Sequence, residues 1–324
     1  MAHRAATGSA RGQVIVRCPN RLPPVQNRVA IIGVFDGVHR GHQALIAQAR
    51  AVAGDGTVVA LTFDPHPMHV VRPEHAPAML ASIDDRVDAL HDAGVDEVAV
   101  VEFTGALSEM SSEQFVNEFV VDKAKAGVVV VGENFRFGHR ASGDVDTLRE
   151  LGVHRGFTVQ GVDLRGDTTR YSSTRVRQAL EEGDLAQVIE VLGRPFTYRG
   201  LVVHGDHRGR TLGVPTANIE ITADRAAPAD GVYAGWVRVV EGSCPRMPAA
   251  ISVGDNPQYA GTQRRIEAHV IDRDDLDLYD AVIEVGFVRR LRGQEVFDSE
   301  AAFITQMQAD IAAARALGRP DPAP

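Results

Sequence analysis

The 324-residue sequence predicts an α/β half followed by a β half: an open, doubly wound parallel sheet, then a small antiparallel β-barrel closed by one C-terminal helix. Three observations carry this. From residue 29 to about 192, near-continuous β-branched runs alternate with helical stretches, the pattern of parallel strands covered on both faces. At Gly193-Arg194-Pro195-Phe196 the chain breaks, and beyond it short alternating strands are separated by glycine and proline turns. The final stretch, 299–317, returns to helical spacing with Ala302, Phe303, Met307, Ile311 and Ala314 on one side.

The α/β half is expected to place strands at 29–34, 58–63, 95–101, 128–131 and 157–162. Helices are expected at 41–53, 83–93, 112–122, 145–154 and 174–180, with a short one at 184–192 before the break. The β half is expected to place strands at 196–204, 232–241, 248–253, 265–271 and 282–287. The division therefore falls at 1–192 and 193–324, with a flexible N-terminal arm of about 12 residues.

Composition narrows the function classes. With 44% hydrophobic and 24% charged residues the chain can bury a sizeable core. A net charge of −9 argues against polymeric nucleic acid or an anionic membrane as partner, yet leaves a nucleotide open, since a few local donors suffice for one. Cys18 and Cys244 form no metal or disulfide pattern, and no apolar run nears the roughly 18–20 residues needed to cross a bilayer. The first dozen residues lack the apolar segment of a signal peptide, so a reducing cytoplasm is the expected location.

The chemistry centres on Gly33-Val34-Phe35-Asp36-Gly37-Val38-His39-Arg40-Gly41-His42, between the first strand of the sheet and its helix. Glycines let backbone approach a ligand, and a helix N-terminus aims unpaired N–H groups and partial positive charge at it. That is an anion site, and His39 and His42 stand three apart across it. Further along, the prolines of Thr62-Phe63-Asp64-Pro65-His66-Pro67 stiffen a loop that presents Asp64 and His66. The loop Gly132-Glu133-Asn134-Phe135-Arg136-Phe137-Gly138 combines an amide, a guanidinium and two aromatics suited to a flat heterocycle. In Arg170-Tyr171-Ser172-Ser173-Thr174-Arg175-Val176-Arg177, Ser172 or Ser173 can cap a helix while Arg170 and Arg177 add charge-assisted donors.

In the β half, Gly205-Asp206-His207-Arg208-Gly209-Arg210-Thr211-Leu212-Gly213 is a cationic, glycine-rich loop that leads into Val214-Pro215-Thr216-Ala217-Asn218. Thr216 and Asn218 offer a hydroxyl and an amide oxygen, hard ligands suited to Mg²⁺.

These motifs, in this order, resemble the prokaryotic bifunctional riboflavin kinase/FAD synthetase family over about residues 29–315. His39-Arg40-Gly41-His42 resembles the H-x-G-H element of nucleotidyltransferases, Ser172 to Arg177 the S-S-T-x-x-R element, and Pro215 to Asn218 the riboflavin kinase signature. Leu291-Arg292-Gly293-Gln294-Glu295-Val296-Phe297 completes the likeness. The resemblance implies a Rossmann-like FMN adenylyltransferase domain followed by a kinase domain, with riboflavin, FMN and ATP as substrates and Mg²⁺ at both sites. It further implies that Gly33, Phe35, Asp36, His39, His42, Arg170, Ser173, Thr174 and Arg177 hold ATP for adenylylation, with His39 and His42 catalytic, and that Asp64, His66 and Asn134 line the FMN side. Gly205, Arg208, Gly209, Arg210, Thr216 and Asn218 would hold Mg-ATP for the kinase, and Glu267 would be its base.

One segment departs from the family. Ser252-Val253-Gly254-Asp255-Asn256-Pro257-Gln258-Tyr259 carries Gln258 where a small hydroxyl residue is usual, which bears on the kinase. Two alternatives follow from the residues: an FMN adenylyltransferase whose barrel only binds or senses flavin, and a nucleotidyltransferase for a phosphopantetheine or cytidylyl substrate.

Overall fold

The structure is a computed structural model, and it describes residues 14–17, 27–163, 171–205, 213–241, 244–255 and 264–317. The chain forms two compact units, 1–77 with 83–170, and 78–82 with 171–324.

The first unit contains a six-stranded sheet in the order β1-β4-β3-β2-β5-β6. Its strands are β1 (Val14–Arg17), β2 (Arg28–Ile32), β3 (Thr57–Asp64), β4 (Glu97–Glu102), β5 (Val128–Gly132) and β6 (Thr158–Val162). All neighbours are parallel except β1, an antiparallel edge strand on β4 that sequence periodicity missed. Helices α1 (Arg40–Ala53) and α3 (Ile83–Asp92) cover one face, where Leu45, Ile46, Val87 and Leu90 meet Val29, Ile31, Val58 and Val98. On the other face, Phe115, Phe119 and Leu148 meet Ala30, Val59, Leu61 and Val101. They come from α5 (Ser112–Phe115), its wider π-helical continuation Val116–Lys123, and α6 (Val145–Arg155). Two short helices, α2 (Pro67–Val71) and α4 (Gly105–Ser108), fill connections read as loop. Strands β2 to β5 are largely apolar on both faces because both sides are covered, which is the doubly wound arrangement expected.

At the N-terminal ends of the strands, Arg28 binds Glu97 through two hydrogen bonds of 2.9 and 2.6 Å, and the pair is nearly sealed from solvent. Arg28 Nε also donates to Ala124 O at 2.8 Å, tying the end of the π-helical segment to the sheet. Removing one partner strands the other charge, so Glu97→Gln is expected to destabilise the protein by about 3–5 kcal/mol, read from urea unfolding of the first unit.

The second unit contains six antiparallel strands in the order β7-β12-β9-β10-β11-β8. They are β7 (Phe196–Leu201), β8 (Ala217–Glu220), β9 (Gly231–Val239), β10 (Met247–Gly254), β11 (Arg265–Val270) and β12 (Val282–Arg292). Just past β7, Val203 N–H donates to Asn218 O at 2.9 Å, nearly closing the barrel. Its interior holds Phe196, Tyr233, Ile251, Ile266, Val285 and Phe287, and Gly286 is required where a Cβ would lie 2.1 Å from the Trp236 ring. Two helices, α7 (Ser173–Glu182) and α8 (Leu185–Leu192), pack Val176, Leu180, Val188 and Val191 into this core.

The closing helix α9 (Glu300–Ala316) differs in detail from the apolar face expected. Ala302 is exposed, and the buried residues are Asp310 and Ala314. A carboxylate occupies that position because Arg292 of β12 donates to it at 2.8 and 3.0 Å, with Gln306 adding a third bond at 2.9 Å.

Candidate active sites

In the first unit, chain order runs β2, β3, β4 to one side and β5, β6 to the other, so the sheet switches direction between β2 and β5. Ligands of doubly wound sheets lie beyond the carboxyl ends of the strands at this point. The Gly33 to His42 turn leaves β2 there, Asn134 follows β5 and is exposed, and Asp64 ends neighbouring β3 with His66 just beyond it.

The turn is held in a costly shape. Phe35 and Val38 have φ of 53° and 42°, and Gly37 has 80°. Left-handed backbone is strained for bulky and β-branched residues and persists only where its surroundings fix it. Val38 N–H donates to Phe35 O at 3.1 Å, Gln43 Nε2 to Val38 O at 2.9 Å, and Thr62 Oγ1 to Val34 O at 2.9 Å. Phe35 is itself core: its ring is buried and covers the Cα of Gly33. Asp36 is likewise buried.

His39 caps α1, and its Nδ1 accepts the backbone N–H of His42 at 3.4 Å. His42 stacks on it with ring centroids 3.6 Å apart, and Phe35 meets the His42 ring edge-on. His42 Nδ1 is buried without a hydrogen-bond partner. A proton there would be an orphaned donor, and Nδ1 of His39 is already an acceptor, so both neutral rings carry their proton on Nε2. Two stacked imidazoles thus present parallel N–H donors beside the positive end of α1, an arrangement matched to a phosphate.

Burial, then the adjacent His39 ring and the Arg86 guanidinium, push the His42 pKa well below the ordinary imidazole value. The unfolded chain binds a proton near pH 6.5 that the folded chain refuses. This stabilising contribution is complete above that pH and is lost as the pH falls below it, with a slope of up to about 1.4 kcal/mol per unit. The urea midpoint is expected to fall more steeply between pH 7 and 5.5 in the wild type than in His42→Gln. Histidine ¹⁵N spectra at pH 6 are expected to show His42 as a neutral Nε2–H ring.

His66 caps α2, accepting Met68 N–H on Nδ1 at 3.0 Å, so that nitrogen is committed to the backbone. Ser172, of the two serines considered, caps α7 by accepting Arg175 N–H at 3.2 Å; Ser173 and Thr174 open the helix. Arg177 Nε donates to Ala78 O at 2.6 Å. These α7 residues belong to the second compact unit, the two histidines to the first. Arg170, Arg208, Gly209, Arg210 and Gln258 lie outside the described residues.

In the barrel, Asn218 of β8, Glu267 of β11 and Ser252 of β10 stand directly opposite one another across three strands. Directly opposed residues share a face, so the three side chains form one polar row. Gln294, just past β12, donates to Ser252 Oγ and Val253 O, both at 3.0 Å. The amide nitrogen of Asn218 donates to Thr216 O at 3.3 Å, which commits the nitrogen and leaves Oδ1 as the acceptor of that side chain. Gly205 is needed because a Cβ there would fall 2.5 Å from the Asn218 amide. His269, two along from Glu267, lies 2.9 Å from Pro215 O through Nδ1 and steadies the loop before Thr216. Ser252, His269 and Gln294 received no role from the sequence; the strand register brings Ser252 opposite Glu267, and hydrogen bonds bring Gln294 to Ser252.

An anion-binding helix terminus at a sheet's switch point, and a barrel face joining a carboxylate to hard oxygen donors, are both suited to nucleoside triphosphates. The class so defined is a phosphate-transferring enzyme with two active centres. Comparison with known proteins narrows it. A model of the FAD synthetase family matches residues 23–175 and one of riboflavin kinase matches 192–317. The bifunctional riboflavin kinase/FMN adenylyltransferase of Pseudomonas fluorescens is 38% identical over 312 residues, covering 95% of this chain and 98% of that protein. Its counterpart from Escherichia coli K12 is 34% identical over 295 residues, covering 90% and 93%. A crystal structure of a macrolide-efflux protein from Streptococcus pneumoniae is similar with a TM-score of 0.77 and 30% identity, covering 89% of this chain and 94% of that one.

The chain belongs to the bifunctional riboflavin kinase/FMN adenylyltransferase family. Its FAD synthetase domain precedes its riboflavin kinase domain, and its substrates are riboflavin, FMN and ATP. No helix among the described residues is long and apolar enough to cross a membrane.

Proposed function

We propose the following division of labour within this two-step route from riboflavin to FAD. Glu267 accepts the proton of the riboflavin 5′-hydroxyl, whose oxygen attacks the γ-phosphorus of ATP, giving FMN and ADP. Thr216 and Asn218 would hold Mg²⁺ through a hydroxyl and an amide oxygen, hard ligands for a cation that would neutralise charge on the phosphates. Gly205, Arg208, Gly209 and Arg210 hold the rest of that ATP. The FMN phosphate then attacks the α-phosphorus of a second ATP and pyrophosphate leaves. His39 and His42 donate Nε2–H to the oxygens on which charge grows, and no covalent nucleophile is needed. The α1 terminus supplies backbone N–H groups and Gly33 lies beside it, its own N–H held by Leu61 O, with Arg170, Ser173, Thr174 and Arg177 as further ATP donors. Asn134, Asp64 and His66 line the FMN side, His66 through Nε2 because Nδ1 is occupied.

The functional boundary proposed is 192/193, where the riboflavin kinase match begins, although α7 and α8 pack with the barrel. A reducing cytoplasm is the proposed location, in keeping with the free, exposed Cys244.

The observation that carries this reading is the stacked His39–His42 pair at the head of α1, with both protons on Nε2. A product assay tests it: protein, riboflavin, ATP and Mg²⁺, with flavins separated by chromatography, beside single variants at each site. FMN and FAD are expected from the wild type. Conversion of supplied FMN without phosphorylation of riboflavin would overturn the kinase assignments.

A further inference from the structure

Arg86 heads the fully buried side chains by volume, only 1% exposed, and nothing in its sequence context marks it. It stands on α3, in Ile83-Asp84-Asp85-Arg86, and reaches inward to the carboxyl end of β3. A guanidinium taken out of water loses several kcal/mol of solvation, by order of magnitude, unless charges and hydrogen bonds replace it. Here Nη1 donates to Phe63 O at 2.8 Å and to Thr62 Oγ1 at 3.3 Å. The carboxylates of Asp36 and Asp64 counter its charge, against the burial that disfavours it. Its Nε, also buried, has no partner.

The contacts lead somewhere. Thr62 takes the Arg86 bond on the hydroxyl that itself donates to Val34 O at 2.9 Å. Val34 opens the turn in which Phe35 and Val38 are forced into left-handed backbone and which ends in the His39 cap. The chain Arg86, Thr62, Val34 therefore braces a strained segment whose shape sets where both imidazoles stand. Asp36, within that segment, attracts the same guanidinium electrostatically.

We propose that Arg86 is a positioning residue for adenylyl transfer: through Thr62 and Val34 it locks the His39–His42 turn in its strained shape, and its charge adds to the positive field beneath the two imidazoles. The inference rests on that turn being the adenylyl-transfer site. The charged and titratable groups concerned are His39 from the cap and Arg86 from α3, both facing His42, and Asp36 from the turn and Asp64 from the end of β3, both facing Arg86. Arg86 adds to the burial that keeps His42 neutral, so that its Nε2–H donates from an uncharged ring.

The test compares Thr62→Val, Arg86→Met, Arg86→Lys and His42→Ala in the full chain. Three quantities are read: kcat and KM for FMN adenylylation, riboflavin phosphorylation as a check on folding, and the ¹⁵N titration midpoint of His42. Thr62→Val is expected to lower the adenylylation kcat about tenfold with KM for FMN unchanged, the mark of an interaction realised in the transition state. Arg86→Met is expected to lower it at least a further tenfold and to move the His42 midpoint upward, with Arg86→Lys between. Should Arg86→Met fail to fold and lose both activities, Thr62→Val decides alone. Wild-type kcat in Thr62→Val, or an unmoved His42 midpoint in a folded Arg86→Met, would overturn the proposal. Undiminished FAD formation by His42→Ala would instead overturn the assignment of the turn itself.

Discussion

Glu267→Gln is expected to slow riboflavin phosphorylation by about 10²–10⁴-fold, while FMN supplied to the same protein is still converted to FAD. The glutamine keeps the shape of the side chain but loses its negative charge and its ability to take a proton. Glu267 is half-buried on β11, with Asn218 opposite on one side and Ser252 on the other. A carboxylate in that row lies beside Asn218, proposed above as a Mg-ATP ligand, where a base for the attacking hydroxyl is needed. Chromatography of flavins after incubation with riboflavin and ATP checks it. Near-normal FMN formation would remove the base from the mechanism.

The complementary result is expected at the other centre: His39→Ala or His42→Ala halts the sequence at FMN, each lowering adenylylation by about 10²–10³-fold, the range seen when one donor to developing charge is lost. The two substitutions are not expected to multiply. The rings stack at 3.6 Å and His39 Nδ1 receives the His42 backbone N–H, so deleting one disturbs the other. Single-turnover formation of FAD from FMN in the two single variants and the double variant measures this coupling. A double variant slowed by the product of the single effects would show two independent donors. Riboflavin phosphorylation serves as the control, since neither histidine belongs to the barrel unit.

Much of the molecule was legible from periodicity. The parallel strands announced themselves because strands covered on both faces must be apolar throughout, and the barrel because its turns need glycine and proline. The edge strand Val14–Arg17 was not, since a four-residue strand carries little periodic signal and is made by its partner β4. Asn218 was read as a loop ligand and lies in β8, where its backbone also nearly closes the barrel. Of the first site, His39 and His42 were visible because their spacing at a helix start has a chemical meaning. Arg86 was invisible for the opposite reason: an arginine among aspartates on an amphipathic helix has the pattern of a solvated face. Ser252 needed the strand register and Gln294 its hydrogen bonds to β10, long-range facts that local sequence does not contain.

Residues 78–82 interrupt the first unit yet pack with the second: Met79 exchanges backbone hydrogen bonds with Asp224 and Ala226, at 2.7 and 2.9 Å, and Leu80 is buried with the barrel core. On the ribosome these residues emerge before any of their partners has been made. At roughly 5–20 residues per second they wait on the order of ten seconds, with Leu80 uncovered, until the chain around Asp224 appears. The earlier unit must therefore tolerate an unsettled stretch in its middle while synthesis continues. The core of the kinase half thus draws on residues from well before it in the chain, and a gene cut at codon 193 would encode a barrel without Leu80 and the two helices packed against it.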